Sequence, residues 1–250
     1  MTGNLRGNFS GARLTSFGLE ILVVIFGILI AFQIDSWAES VRERSQEREY
    51  LLRLREDLAA EIAIMEAGKL RARNRIAAAR RLERLAADPG LAAEQTFDVV
   101  ESLEKVAWRT YPPINAYVYR ELQSTGKLAL IRSDSLRRAL AEYYTALELD
   151  ERVGVDIRLQ EDFDRLTAGI LTMNELISME RPSGDEPAAP ISAERSVQVA
   201  EEFAARPEAV ALLPGVAQHN AFNERVLTQG MDRARALIAI IDDLLDHAGE

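Results

Sequence analysis

The sequence predicts an all-α protein in which an N-terminal transmembrane helix continues into an antiparallel helical bundle. Three observations support this fold class. Residues 17–37 form one apolar run that nothing later in the chain repeats. Elsewhere apolar residues recur at spacings of three, four and seven, which is typical of one helix face. No window shows the alternation of apolar and polar residues that indicates a half-buried strand.

The composition sets the domain organisation and excludes several functions. The chain has 250 residues, a formal net charge of -10 and no cysteine. We expect an N-terminal arm over 1–16, a transmembrane helix over 17–37 and one helical bundle domain over 38–250, with a loop near 181–191. The acidic charge argues against a nucleic-acid partner. The lack of cysteine excludes disulfides, thiolate metal sites and cysteine nucleophiles.

The apolar run has the length and composition of a membrane anchor. A helix of about 20 apolar residues crosses the hydrocarbon core of a bilayer, and the part from Ile21 to Phe32 contains no polar side chain. A buried core helix normally keeps a polar stripe. A cleaved signal peptide is the alternative, but the small residues near Ala38 and Ser40 do not form a clear cleavage pattern.

The charges that flank the run suggest its orientation. Lysine and arginine are nearly balanced, with Arg6 and Arg13 before the run and three arginines soon after it. Acidic residues crowd only the C-terminal flank. We therefore expect a single span with the amino terminus inside and the soluble domain outside, which in a bacterium means an inner-membrane protein with a periplasmic domain.

The pattern predicts the helices in order. The first helix continues past Trp37 to about Ala87, where Asp88, Pro89 and Gly90 form a break. A second helix is expected from after Thr96 to Trp108. A third, shorter helix is expected over residues 116–124.

Longer helices are predicted in the second half of the chain. One begins after the capping residue Ser133 and runs over 134–179. After the loop, helices are expected over 192–205, 207–213 and 215–247. Four of the predicted helices are long, and an antiparallel bundle is the simplest way to pack them.

A block rich in aromatic and polar residues is the candidate partner-binding surface. It mixes flat apolar area with hydrogen-bond donors, as interface hot spots do, and its candidate residues are Trp108, Arg109, Tyr111, Tyr117 and Arg120. The alternative is that some of the rings fill the bundle core. Farther on, Tyr143 and Tyr144 are adjacent on a helix, so we expect one ring in the core and one exposed.

Three residues are candidates for helix pairing within the membrane. Gly27 and Ala31 are small residues four apart, a spacing that lets a second helix approach closely. Glu20 is an ionisable group beside an apolar run, where such groups are costly and often functional. The alternative for Glu20 is a place at the membrane boundary, where it reaches headgroups or pairs with Arg13.

No pattern of catalytic or cofactor-binding residues is found. The two histidines, His219 and His247, lack the Glu-x-x-His spacing of metal sites in helical bundles. No serine lies in a nucleophile-elbow pattern, and no glycine-rich phosphate loop is present. We therefore expect neither a cofactor nor an enzymatic activity.

Two blocks of the sequence resemble a known family. The first resembles the anchor "GEIxLVVxGILIALQxNNW" of a bacterial family of single-span membrane proteins of unknown function, through Leu22, Val23, Val24, Ile25, Gly27, Ile28, Leu29, Ile30, Ala31, Gln33, Ile34 and Trp37. Asp35 and Ser36 stand where asparagines are usual. The second block is similar through Tyr119, Glu121, Leu122, Ser124, Gly126, Leu128, Leu130, Ile131, Leu136, Tyr143 and Tyr144. The resemblance implies a membrane location and a helical domain, but no activity.

Taken together, the sequence favours a membrane-anchored, non-enzymatic interaction or accessory module. Its expected partners are the lipid bilayer and either another membrane protein or a second copy of the chain. The alternative is a helical bundle that senses a small ligand and acts through a partner transducer. An enzyme would require inward carboxylates grouped with His219.

Overall fold

The structure is a computed structural model. It describes the backbone of residues 11–94, 98–107, 116–148, 152–179 and 191–247, and side chains over 24–94, 99–107, 116–147, 157–176 and 191–247. Within these ranges the regular structure is entirely helical. The α-helices are α1 (Gly11–Ala87), α2 (Asp98–Ala107), α3 (Tyr117–Ser124), α4 (Asp134–Glu148), α5 (Arg152–Thr167), α6 (Met173–Met179), α7 (Ala193–Ala204) and α8 (Pro207–His247). Short 3-10 helices follow α1 (Pro89–Ala93) and α3 (Lys127–Leu130). The prediction of an all-α protein with a long N-terminal apolar helix is therefore confirmed.

The two longest helices, α1 and α8, pack against each other in opposite directions. Three ion pairs show the register: Arg55 Nε lies 2.7 Å from Asp242 Oδ1, Arg235 Nη2 3.3 Å from Glu66 Oε1, and Arg73 Nε 2.6 Å from Glu224 Oε1. The partner numbers on α8 fall as those on α1 rise, so the helices are antiparallel. The shorter helices pack around this pair.

One hydrophobic core lies on α1 from Tyr50 to Met65, the nearer of two cores to the apolar segment, and we call it the near core. Leu54 and Leu58 of α1 are fully buried there, because their spacing of four keeps them on one helix face. They pack with buried residues of α3, α4 and α8, among them Leu122, Leu140, Leu227, Leu237 and Ile241.

A second core, which we call the far core, lies toward the end of α1. Leu82 is fully buried there with Val99 of α2 and Phe203 of α7. The ring of Phe203 lies 6.2 Å from that of Phe163 on α5. Buried residues of α8, such as Leu213 and Val216, complete the cluster. Both α1 and α8 therefore contribute to both cores.

The predicted helix over 134–179 is wrong in its continuity, because α5 ends at Thr167 and α6 begins at Met173; the junction of α4 and α5 lies outside the described residues. Gly169, just after α5, has a φ of 81°, which glycine adopts without strain. Arg206 donates to the carbonyls of Leu166 at 2.7 Å and Ala168 at 2.9 Å. These bonds satisfy carbonyls at the end of α5 that have no partner within the helix.

A reciprocal cap and an arginine fix the start of α6. The Thr172 N–H donates to Glu175 at 2.7 Å and the Glu175 N–H donates to the Thr172 hydroxyl at 3.3 Å, which is a capping box. Arg195 of α7 pairs with Glu175 at 2.8 Å and Glu202 at 3.2 Å, and donates to the carbonyl of Ile170 at 2.7 Å. This arginine cluster links α6 and α7 and covers one side of the far core.

The prediction of separate helices over 207–213 and 215–247 is also corrected. They form one helix, α8, with Pro214 inside it. A proline in a helix costs about 3 kcal/mol or more, because one backbone hydrogen bond is lost and the ring clashes with the preceding turn. Leu213 and Val216 are buried on either side of Pro214, and this packing offsets the cost.

Candidate functional site

The first candidate site is the exposed apolar segment of α1 over residues 24–37. The exposed fraction is 60% for Phe26, 72% for Phe32 and 68% for Trp37, although these are large apolar side chains. Among the described residues, this is the one helix that is long and apolar enough to cross a membrane, and none of its apolar window is buried within the protein. Such a surface is costly in water, so it is suited to an apolar environment.

The residues predicted to pair within the membrane lie on this helix. A Cβ atom placed on Gly27 would meet nothing within 4 Å, and Ala31 is exposed. Glu20 lies in α1, but its side chain is outside the described residues. The surface around Gly27 and Ala31 is therefore available to a second helix, and the pairing itself stays a prediction.

The second candidate site is the outer face of α3, which carries part of the predicted partner-binding block. Tyr117 is 68% exposed and Arg120 is exposed as well. Trp108, Arg109 and Tyr111 lie outside the described residues. The structure thus places Tyr117 and Arg120 together at the surface, on successive positions of one helix face.

The inner face of α3 is held firmly by α1 and α4. The Val118 N–H donates to Asp57 Oδ2 at 2.9 Å, so a carboxylate from α1 caps the start of α3. The ring of Tyr119 stacks on that of Tyr144, with 4.5 Å between the centroids. Ala116, which precedes the helix, has a φ of 46°, an uncommon value for alanine. Tyr117 and Arg120 are therefore presented from a fixed base.

A buried carboxylate lies beneath this base. Glu61 of α1 is only 4% exposed and accepts hydrogen bonds from the hydroxyls of Tyr143 at 2.9 Å and Tyr144 at 3.2 Å. Burial raises the pKa of Glu61, and the two tyrosine bonds partly oppose that rise. Burial, followed by the negative charge of Glu61, strongly raises the pKa of both tyrosines, so they stay protonated as donors.

The expected exposure of one tyrosine in the pair is wrong, because Tyr143 and Tyr144 are each 2% exposed. The hydroxyls of both tyrosines bond Glu61, and the ring of Tyr144 also stacks on that of Tyr119 in α3. Two adjacent positions of α4 are therefore buried. Glu61 is not among the predicted site residues. Its spacing of three from Leu58 and four from Met65 places it on the core face, which is the signal that could have identified it.

The third candidate site is a cavity of about 500 Å³ between α2, α5 and α6. Its apolar lining includes Leu103, Leu171 and Leu176, and its polar lining includes Gln160 and Asp164. Burial raises the pKa of Asp164, while the hydrogen bond with Gln160 and the charge of Arg75 oppose the rise. This combination of apolar walls and a few polar groups is typical of small-molecule pockets.

The histidines do not lie in a metal centre within the described residues. No group of three or more metal-ligating side chains is found there. His247 Nδ1 lies 2.6 Å from the carbonyl oxygen of Asp243. This bond and the charge of Asp243 raise the pKa of His247. His219 lies far along α8 from His247 and is half-buried.

The comparisons with known proteins identify a family and nothing beyond it. No curated protein matches the chain, and no solved structure matches it. A family model described as a family of unknown function, DUF6090, matches residues 20–151. This range contains most of α1 together with the Glu61 cluster and α3. The chain therefore belongs to DUF6090, a family whose function is unknown.

Proposed function

We propose that this protein is a non-enzymatic, single-pass membrane protein whose helical bundle domain contacts a membrane partner. The observation that carries the proposal is the continuity of α1. One helix contains the exposed apolar segment and the buried residues Leu54, Leu58 and Leu82 of both cores. Anchoring this helix fixes the domain at the membrane and raises its local concentration near a partner there.

The sidedness of the proposed anchor follows from charge. Asp35, Glu39 and Glu43 follow the apolar run, whereas the arm before it contains only basic side chains among its charged residues. We place the amino terminus in the cytoplasm and the bundle domain in the periplasm of a bacterium.

Cysteine labelling tests this orientation, because the natural chain has no cysteine. A membrane-impermeant maleimide should label Ala211→Cys, which replaces an exposed residue of α8, in cells whose outer membrane is permeabilised. Ser10→Cys in the arm should react only after the inner membrane is opened. The reverse pattern would place the domain in the cytoplasm.

The outer face of α3 is the proposed partner-binding surface. Tyr117 and Arg120 combine an exposed ring with an exposed guanidinium, the side-chain types that contribute most at protein interfaces. Because neither side chain is part of a core, their removal should affect binding and leave folding unchanged.

A pull-down with matched variants tests this surface. The chain is extracted from native membranes in mild detergent, and the proteins that stay bound are identified by native mass analysis. Tyr117→Ala/Arg120→Ala should lose the partner while helicity and thermal stability stay the same. Phe222→Ala/Arg225→Ala is the control, because it removes another exposed aromatic ring and arginine, with 5.8 Å between them, from α8. Equal partner recovery from both variants contradicts the proposed surface.

A second candidate function is the sensing of a small ligand, and the cavity between α2, α5 and α6 favours it. Such a ligand would act through a partner transducer. The test is mass analysis of small molecules released when the purified chain is denatured. Ala107→Phe adds a ring to the cavity wall and should abolish the recovery of a bound molecule. Identical recovery from the variant and the natural chain argues against this function.

A further inference from the structure

The part of α1 between the apolar segment and the near core forms a stalk, which we define as residues 38–49. It spans about 18 Å at 1.5 Å per residue. Arg132 reaches it through Glu43 at 3.7 Å and Glu47 at 3.6 Å. These two acids lie on the side of α1 that continues into the near core. On the opposite side of the stalk Val41 and Ser45 are exposed and Ala38 is half-buried.

That opposite side carries a row of residues with the spacing of a coiled-coil seam. Ile34, Ala38, Val41 and Ser45 follow one another at intervals of four, three and four. The side chains of Ile34 and Val41 are 58% and 44% exposed. At about 100° per residue the row lies roughly 150° around α1 from Leu54 and Leu58, so a helix packed on it would not meet the near core.

The charges beside this row are complementary for a second copy of the same helix. In a parallel coiled coil, a flanking residue faces the residue five positions later on the partner helix. Arg44 would then face Glu49, and Trp37 would face Arg42. The first is an opposite-charge pair, and the second places a cation near an exposed indole ring.

We propose that α1 pairs in parallel with α1 of a second copy through the face formed by Ile34, Ala38, Val41 and Ser45. The parallel direction rests on the proposed function, since two copies anchored with one orientation can meet only in this way. The pairing brings together two helical domains, each with its own α3 surface. It also removes Val41 from exposed surroundings, which supplies apolar burial in the stalk.

Disulfide trapping in native membranes tests the pairing. Ser45→Cys places a thiol on the proposed face, and Ser40→Cys is the matched control on the near-core side, where the Ser40 hydroxyl bonds the Trp37 carbonyl at 2.9 Å. After mild copper–phenanthroline oxidation, Ser45→Cys should form a covalent dimer and Ser40→Cys should stay monomeric. No dimer from Ser45→Cys, or equal yields from both, overturns the pairing.

Carbonate extraction of the same membranes separates this inference from the proposed function. If Ser45→Cys stays in the membrane pellet without dimerising, the pairing fails and the anchor stands. If it forms a dimer but is released by carbonate, the anchor fails and the pairing stands.

A charge swap in the Ser45→Cys background tests the register. Arg44→Glu places two acids opposite each other and should remove most of the covalent dimer. The combined change Arg44→Glu/Glu49→Arg restores an opposite-charge pair and should recover it. An unchanged yield with Arg44→Glu alone, or no recovery in the combined variant, overturns the proposed register.

Discussion

The near core contains an acidic residue with a shifted pKa and the far core has one at its edge, but the two shifts are opposite. Glu61 in the near core is buried among tyrosine hydroxyls, and burial raises its pKa. Glu175 beside the far core is bound by Arg195, and this bond lowers its pKa to about 2. The comparison shows that the hydrogen-bonding partner of a carboxylate determines the direction of its pKa shift. Tyrosine hydroxyls offset only part of the cost of burying a negative charge, whereas a guanidinium offsets it.

The two cores also differ in how they join helices. In the near core, Glu61 and Asp57 link α1 to α4 and α3 through hydrogen bonds. The far core is filled mainly by aliphatic side chains and phenylalanine, with a buried charge, since Arg75 of α1 donates to the carbonyl of Val106 in α2 at 3.0 Å. Near-core stability should therefore depend on the hydrogen bonds of its carboxylates, and far-core stability mainly on the volume that its side chains fill.

The largest expected effect is the loss of a far-core ring. Phe203→Ala should destabilise the protein by about 3–5 kcal/mol, because Phe203 is fully buried and its removal leaves a cavity. Chemical denaturation of the detergent-solubilised chain measures the free energy of unfolding. Phe222→Ala is the control, since Phe222 is 42% exposed, and it should change stability little. Hydrogen exchange should rise mainly in α5 and α7; an equal rise in α3 and α4 would show that the cores unfold as one unit.

The second largest expected effect is a pH dependence of the stability that the Arg195 cluster contributes. The pKa of Glu175 falls from an ordinary 4.5 to about 2 in the folded state. Its contribution is therefore present above pH 4.5 and lost as pH falls toward 2, and it amounts to at most about 3 kcal/mol. Hydrogen exchange of α6 and α7 should rise on acidification over this range.

The control for the pH dependence is Glu175→Gln, which should remove the acid-induced change in α6 and α7. Glu61 should act in the opposite direction. Because its pKa is raised on folding, the unfolded chain ionises first as pH rises, and the near core loses stability between the two pKa values. Parallel acid responses of both cores would contradict the comparison.

The third effect is smaller and belongs to the near core. Tyr143→Phe removes a hydroxyl that donates to Glu61 at 2.9 Å and leaves most of the ring packing in place. Removing one donor from a buried acceptor should cost about 1–3 kcal/mol. Thermal unfolding of the purified chain measures it. Tyr117→Phe makes the same chemical change on an exposed ring and should leave the unfolding temperature unaltered.

The smallest effect is expected from the ion pairs between α1 and α8. Arg55 and Asp242 are 49% and 44% exposed, and exposed pairs contribute about 0.2–1 kcal/mol. A double-mutant cycle of Arg55→Ala and Asp242→Ala in denaturant measures the coupling, which should weaken further in high salt. A coupling above this range would show that surface pairs, and not the cores alone, hold α1 to α8.

The sequence predicts the course of α1 well, because its signals are regular and long. Leu51, Leu54 and Leu58 repeat at helical spacing, and Pro89 with Gly90 ends the pattern. The break between α5 and α6 was missed because the apolar seam of Phe163, Ile170 and Met173 continues across it. Gly169 and the Thr172–Glu175 capping box mark the start of α6, but capping patterns are also common by chance within helices.

The candidate site was only partly predictable. Tyr117 and Arg120 of α3 are exposed, and their role in binding stays a prediction. The hydrogen bond that fixes the start of α3 comes from Asp57, far away in the chain. A glutamate on the apolar face of a helix indicates a buried hydrogen-bond acceptor, but the sequence does not show which residues donate to it. Both Tyr143 and Tyr144 are buried because both bond Glu61, whereas helix geometry alone predicts that one of them is exposed.

Because α1 is one continuous helix, a small rotation at its apolar end produces a large displacement at its other end. From Trp37 to Ala87 the helix covers about 75 Å, and no break in the described backbone interrupts it. A tilt of about 10° at the apolar end would move the far end of α1 at Ala87 by about 13 Å, if the helix turns as a rod. If the apolar segment spans a bilayer as proposed, changes in membrane thickness, to which spanning helices respond by tilting, would be amplified into displacements of the far core.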